Sequence, residues 1–296
     1  MSGPPLHSGA MSDEQRIDGT GAGEPGAPVG GLRLDADRVR ASLPGWGVEL
    51  PESTGSTNAD GLALLRDGAA APAVVATVDQ RAGRGRMQRV WETPPGVNLA
   101  LSVLLRPEDV PLTRLGLLPL VAGMAMRDAL RAHAGVDARV KWPNDVLVGG
   151  RKICGILVEA ASLEPPAMAV GMGLNVLMTR EQLPVPHATS LVLEGVADPD
   201  ASDLLVAVCR ALETRVDQWR SDVGGFLADF RDACVTVGLE VRVDLPDGSS
   251  FTGRATSVRS DGELEVVEDS GMRHVVAAGD VRHVRPATGG YSGTGA

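Results

Sequence analysis

Hydrophobic positions along the chain fall into two rhythms, which separate two kinds of element. Apolar or alternating runs at Ala73–Val78, Val97–Leu105, Ala138–Lys141, Val146–Val148, Ile153–Glu159 and Ala167–Val176 predict strands. Helical spacing appears over Thr113–His133, where Leu115, Leu118, Val121, Ala122, Ala125, Met126, Ala129 and Leu130 share one face. It returns over Ser202–Trp219 through Leu204, Leu205, Val208, Leu212, Val216 and Trp219. Shorter helices are expected at Leu34–Leu43, closed by Pro44-Gly45, at Ala59–Leu65, closed by Gly68, and at Phe226–Ala233. Gly149-Gly150 predicts a hairpin turn that takes in Arg151 and Lys152. Long helices between hairpin-linked strands predict an α+β fold with a mixed sheet, not a doubly wound one.

From Val237 the rhythm shortens. Runs at Glu240–Leu245, Thr252–Arg259, Leu264–Glu268, His274–Val276 and Val281–Val284 alternate with Pro246-Asp247-Gly248, Asp261-Gly262 and Asp269-Ser270-Gly271. They predict a small five-stranded barrel. A module of that size is marginal alone and is expected to pack on the region before it. The expected division is therefore 32–236 and 237–286, flanked by segments 1–31 and 287–296. Those flanks have too few large apolar side chains to order themselves, which leaves no place for a folded helix-turn-helix ahead of the first motif.

Composition narrows the function. A hydrophobic share of 43% with only 3% aromatics means that Leu, Val and Ala build the core. The net charge of −10 argues against a general nucleic-acid binder, which would carry a basic face. Cys154, Cys209 and Cys234 are odd in number and widely spaced, the pattern of buried thiols in a reducing compartment. Cys154, in an apolar strand, reads as inert packing. With no 18-residue apolar run and no leader-like segment, the expected location is the cytoplasm, with no membrane partner.

Two basic clusters stand out against this acidic background. In Gln80-Arg81-Ala82-Gly83-Arg84-Gly85-Arg86-Met87-Gln88-Arg89-Val90-Trp91, glycines allow a tight turn and close approach to a ligand, and arginines offer planar donor forks for carboxylate or phosphate. The plainer reading is a solvated basic turn. A second cluster, Lys141-Trp142-Pro143-Asn144-Asp145, also ends a strand, and together the two predict one anion-binding site. Ser56 and Thr57 have a plainer reading too, as the N-cap of the helix that follows them.

Several motifs now stand in order: Ser56-Thr57-Asn58, Gln80 to Trp91, Lys141 to Asp145, Lys152-Ile153-Cys154-Gly155-Ile156-Leu157-Val158-Glu159, and Gly171-Met172-Gly173-Leu174-Asn175. In this combination the sequence resembles the biotin protein ligases, in their monofunctional form without a DNA-binding domain. The resemblance covers roughly Leu32 to Arg285 and makes the terminal barrel SH3-like. It implies a two-step reaction: biotin and Mg-ATP give biotinyl-5′-adenylate, then a lysine of a biotin carboxyl carrier domain takes the biotin and expels AMP. It implies that Lys141, Arg84 and Arg86 carry catalysis by neutralising charge on carboxylate and phosphate. Ser56, Thr57, Asn58, Gln80, Arg84, Gly85, Arg86, Lys141 and Gly155 would bind biotin. Arg86, Trp91, Asn144, Lys152 and Asn175 would bind ATP, with Mg2+ carried by the nucleotide and no metal ligand of protein origin. Asp145 reads as a positioning or capping group, while Lys152 serves equally as a phosphate contact or a turn residue. The chain departs from the family pattern at Met87-Gln88, where a basic residue and a glycine are usual. Lipoate–protein ligases share the fold and the adenylate strategy. Biotin-operon repressors share the catalytic region but need a DNA-binding module and nucleic-acid contacts not expected here.

Overall fold

The structure is a computed structural model that describes residues 30–91, 93–245, 247–278 and 283–287. The two flanks expected to be unordered lie outside it, apart from residues 30, 31 and 287, as do Val281 and Arg282 of the expected last strand. The first elements are α1 (Ala36–Ser42), capped by the Asp35 carboxylate, and a short strand β1 (Gly47–Glu49) that the pattern did not announce. Helix α2 (Thr57–Arg66) starts at Ser56, whose hydroxyl accepts from the Ala59 amide, so the capping reading of Ser56 holds. Strand β2 (Ala73–Thr77) leads to a two-residue hairpin, β3 (Gly83–Arg84) and β4 (Val90–Trp91), which encloses the Gly-Arg motif. Next come β5 (Asn98–Leu105), α3 (Leu118–His133), β6 (Ala138–Lys141), β7 (Asp145–Val148), β8 (Arg151–Leu163) and β9 (Pro166–Asn175). Helices α4 (Ala201–Ser221) and α5 (Val223–Ala233) complete this part.

Among several boundary shifts, two have clear reasons. The helical pattern from Thr113 is α-helical only from Leu118, after a 3-10 turn over Leu112–Leu117. Pro119 lies in the first α turn, where its missing amide costs nothing. Arg151 and Lys152 are not in the turn. Gly149 and Gly150 take φ of 54° and 76° and make the turn alone, so both basic residues already belong to β8.

The large sheet has the order β1-β2-β5-β9-β8-β7-β6, parallel between β1 and β2 and antiparallel elsewhere, which fits the expected mixed α+β class. Because side chains alternate along a strand, neighbours such as Val103 and Leu104 serve opposite faces. Val103 joins the main core under α3 and α4. Leu104 joins a small second cluster with Leu62 and Leu65 of α2 and Ala169.

Five strands follow: β10 (Glu240–Asp244), β11 (Ser250–Val258), β12 (Leu264–Val267), β13 (Arg273–Val276) and β14 (His283–Pro286). They form an antiparallel sheet in the order β13-β12-β11-β10-β14. It is tied to the first part by fully buried Trp142, whose indole N–H donates to Gly262 O at 2.9 Å and whose amide donates to Thr236 Oγ1 at 3.1 Å. Arg231 adds a fork onto Val258 O.

Candidate active site

A cavity of about 300 Å³ opens where α2, the β3–β4 hairpin, β6–β9 and β14 meet. All thirteen residues singled out above line it: Ser56, Thr57, Asn58, Gln80, Arg84, Gly85, Arg86, Trp91, Lys141, Asn144, Lys152, Gly155 and Asn175.

The floor is glycine. Gly155 on β8 and Gly173 on β9 are cross-strand partners, and Trp91 rests on both. A Cβ on Gly155 would come within 2.9 Å of the Trp91 ring, and one on Gly173 within 2.8 Å of its Nε1. Any side chain at either position would displace the tryptophan. Trp91 Nε1 is buried with no acceptor among the described residues. Gly171 plays the same part for Asn58, since a Cβ there would lie 2.3 Å from Asn58 Oδ1.

One wall is a chain of neutral polar groups. Gln80 Oε1 accepts from the Thr57 amide at 2.9 Å and from its hydroxyl at 3.2 Å, which leaves the Gln80 amide nitrogen on the opposite side, facing Gly83. Ser102 Oγ stands 2.8 Å from Thr57 Oγ1 and donates to Asn58 Oδ1 at 2.6 Å. Asn58 in turn donates to Leu157 O at 3.1 Å and to Glu159 at 2.8 Å.

The opposite wall is charged. Asp145 receives Lys152 Nζ at 2.5 Å on one oxygen and Lys141 Nζ at 3.5 Å on the other. Burial alone would raise the Asp145 pKa, but the two ammonium groups outweigh it and hold the carboxyl below its usual range. Burial draws Lys141 below its ordinary value, with Asp145 opposing that shift and Lys152 adding to it. Lys152 Nζ also lies 5.3 Å from the Trp91 ring centroid, within cation–π range. His187, at the rim, is lowered by burial and then by Lys141 and Lys152. Cys154 behind this wall is fully buried and its thiol is pushed up to about 12, as inert packing requires.

The hairpin carries the arginines. Arg84 is half exposed, with Nη2 3.6 Å from Glu159. Arg86 donates to Asn144 Oδ1 at 3.3 Å and to the Ala278 carbonyl, linking the hairpin to the segment that follows β13. Asn144 also donates to Ile156 O at 2.8 Å. Asn175 reaches the wall but its amide is engaged, accepting from Asn98 at 3.1 Å and donating to Thr189 O at 2.9 Å.

Sequence reasoning passed over Ser102, His187 and Val284, and gave Glu159, Gly171 and Gly173 no role although it quoted their motifs; Ser102 had a signal, as a lone hydroxyl in an apolar strand. Val284 had none, because only the docking of the second sheet brings it to the cavity.

Residues 51–176 match the biotin/lipoate A/B protein ligase family. The chain is 40% identical over 261 residues to the biotin–[acetyl-CoA-carboxylase] ligase of Mycobacterium tuberculosis, covering 85% of this chain and 96% of that one. It is 30% identical over 223 residues to the bifunctional ligase/repressor BirA of Bacillus spizizenii, covering 73% of this chain and 67% of that protein. Its fold is like that of the Aquifex aeolicus biotin protein ligase solved in complex with biotin and ATP, with a TM-score of 0.70, 23% identity, and coverage of 81% of this chain and 99% of the other. The fold, the gathered motif residues and the identity across nearly the whole mycobacterial ligase agree: this chain belongs to the biotin protein ligase family.

Proposed function

We propose that the protein is an ATP-dependent biotin–[carboxylase] ligase, which makes biotinyl-5′-adenylate and passes biotin to a lysine of a carrier domain. The observation that carries this reading is the shared carboxylate of Asp145, which holds two ammonium groups side by side at the edge of a side-chain-free glycine floor. In the first step a biotin carboxylate oxygen attacks the α-phosphorus and the bond to pyrophosphate breaks. Negative charge gathers on the phosphoryl oxygens, and fixed cations there need no reorganisation. Lys141 and Lys152 supply them as a pair, and Arg84 and Arg86 close from the hairpin. The biotin ring end meets the polar wall, where the fixed Gln80 carbonyl aims its amide N–H outward as a donor, beside Ser56, Thr57 and Asn58. Gly155 is the floor beneath the chain, and Trp91 and Asn144 face the nucleotide. Asn175 serves mainly to brace β9 against Thr189.

In the second step the acceptor amine attacks the acyl carbon, the acyl–oxygen bond breaks, and AMP leaves with the electron pair. Magnesium arrives with ATP and adds charge neutralisation. Asp145 is the one carboxylate among the described lining residues, and both its oxygens face lysines, which suits an ion held by the substrate's phosphates. The division into 32–236 and 237–286, an SH3-like barrel for the second part, and a cytoplasmic site of action complete the reading. Three buried unpaired cysteines are in keeping with the last.

The test is direct. The protein, biotin, ATP labelled in the pyrophosphate and a carboxylase carrier domain are combined. Label exchange and one biotinylated lysine are expected, and their absence with active carrier would end the proposal. Offering lipoate in the same assay separates the lipoate-ligase reading.

A further inference from the structure

Glu159 closes one of the motifs read from the sequence but had no role assigned there, and it does not line the cavity, yet it joins two groups that do. One carboxylate oxygen accepts from Asn58 Nδ2 at 2.8 Å, and the other stands 3.6 Å from Arg84 Nη2. These partners differ in kind. Asn58 is buried and fixed on three sides, by Leu157 O, by Ser102 Oγ and by Glu159 itself. Arg84 is 49% exposed on a two-residue strand, and among the described residues Glu159 is the one carboxylate within ion-pair reach of it. We infer that Glu159 is a positioning residue that couples the polar wall to the Gly-Arg hairpin, keeping Asn58 oriented and holding Arg84 over the cavity. The inference rests on the proposed roles of Asn58 and Arg84.

The two bonds separate by chemistry. Glutamine at 159 still accepts from Asn58 through its amide oxygen but offers Arg84 no charge, whereas alanine removes both. Pairs this exposed are weak and screened by salt, so the Arg84 contact is worth about two- to fivefold. The buried amide hydrogen bond is worth about fivefold more, because its loss leaves a donor unsatisfied.

The experiment measures biotin KM and kcat in pyrophosphate exchange, and escape of adenylate as biotin on bystander albumin, at low and high salt. Glu159→Gln is expected to keep the wild-type KM for biotin and to raise escape about two- to fivefold. Its escape should no longer depend on salt, while wild-type escape rises with salt. Glu159→Ala should show the same escape and a raised KM as well, with kcat for exchange held in both variants. Equal escape from wild type and Glu159→Gln, or a fall in kcat with KM and escape unchanged, would overturn the inference. A wild type that makes no adenylate at all would instead sink the functional reading beneath it. Matching thermal unfolding of wild type and Glu159→Gln is the control against a merely structural effect.

Discussion

The β6–β7 hairpin and the β3–β4 hairpin face the same cavity, but the first is set into the core and the second stands at the surface. Between Lys141 and Asp145, Trp142 is fully buried and bonded to the second sheet, and Asn144 is bonded to β8. Across the cavity, Arg84, Met87, Arg89 and Val90 are exposed, and the ladder is two residues long. Its hold on the rest of the molecule comes mostly from side chains: Trp91 on the glycines, Arg84 on Glu159, Arg86 on Asn144 and Ala278. On the proposed reading, groups that meet developing charge sit on the rigid arm, and groups that admit substrate and then contain the anhydride sit on the exposed two-residue hairpin.

Removing the rigid arm's anchor should do the most damage. Trp142→Ala opens a large cavity and strands the Gly262 carbonyl, with an expected loss of about 3–5 kcal/mol in denaturant unfolding. A loss well below that would mean the two sheets do not depend on this contact. Next, Lys141→Ala and Lys152→Ala should each lower pyrophosphate exchange on the order of a hundredfold, and each should also lower the unfolding midpoint, Lys152→Ala the more, because buried Asp145 loses an ammonium partner. Near-normal exchange in either variant would exclude that lysine from the chemical step.

The surface arm should respond differently. Arg86→Gly removes charged bonds to Asn144 and Ala278, so release of adenylate onto albumin should rise about tenfold while exchange persists. If exchange disappears as well, Arg86 belongs to the first step and the contrast between the arms fails. The smallest effect is expected at Met87, which holds φ 55° in the left-handed region. Met87→Gly relieves that strain, with a gain of about 1 kcal/mol at most, read as a small rise in unfolding midpoint. A fall instead would show that the exposed methionine side chain makes a contact worth more than the strain.

Much of this was legible in the chain, and what was not has physical causes. Strong periodicity in α3, α4, β5 and β9 declared those elements because their packing uses one face or both faces of a regular repeat. Strands β1, β3 and β4 were silent, being three residues or fewer and stabilised by what lies beside them. Lys152 was placed in a turn because Gly149-Gly150 gave no sign of where the turn ended. Only the register of β8 sets its ammonium beside Asp145. Trp142 stood inside a motif rich in chemistry, yet its position is that of a peg between two sheets. Asn175, expected to contact ATP, lines the cavity, and its amide also bonds Asn98 and Thr189, which the sequence did not announce. Motifs mark where a site lies, but the division of labour within it depends on neighbours far away in the chain.

The bond from Arg86 to the Ala278 carbonyl spans 192 positions of sequence. During synthesis the hairpin therefore leaves the ribosome about ten to forty seconds before its acceptor does, at ordinary elongation rates. Val284, which completes the cavity wall, comes later still. A nascent chain that has already folded its large sheet thus lacks the Arg86–Ala278 bond, which on the proposed reading retains the acyl phosphate. Ribosome-arrested chains stopped before β12 should bind the adenylate far more weakly than released protein does, and equal retention would show that the bond is dispensable. On this reading, containment of the adenylate is acquired only when the C-terminal strands are complete.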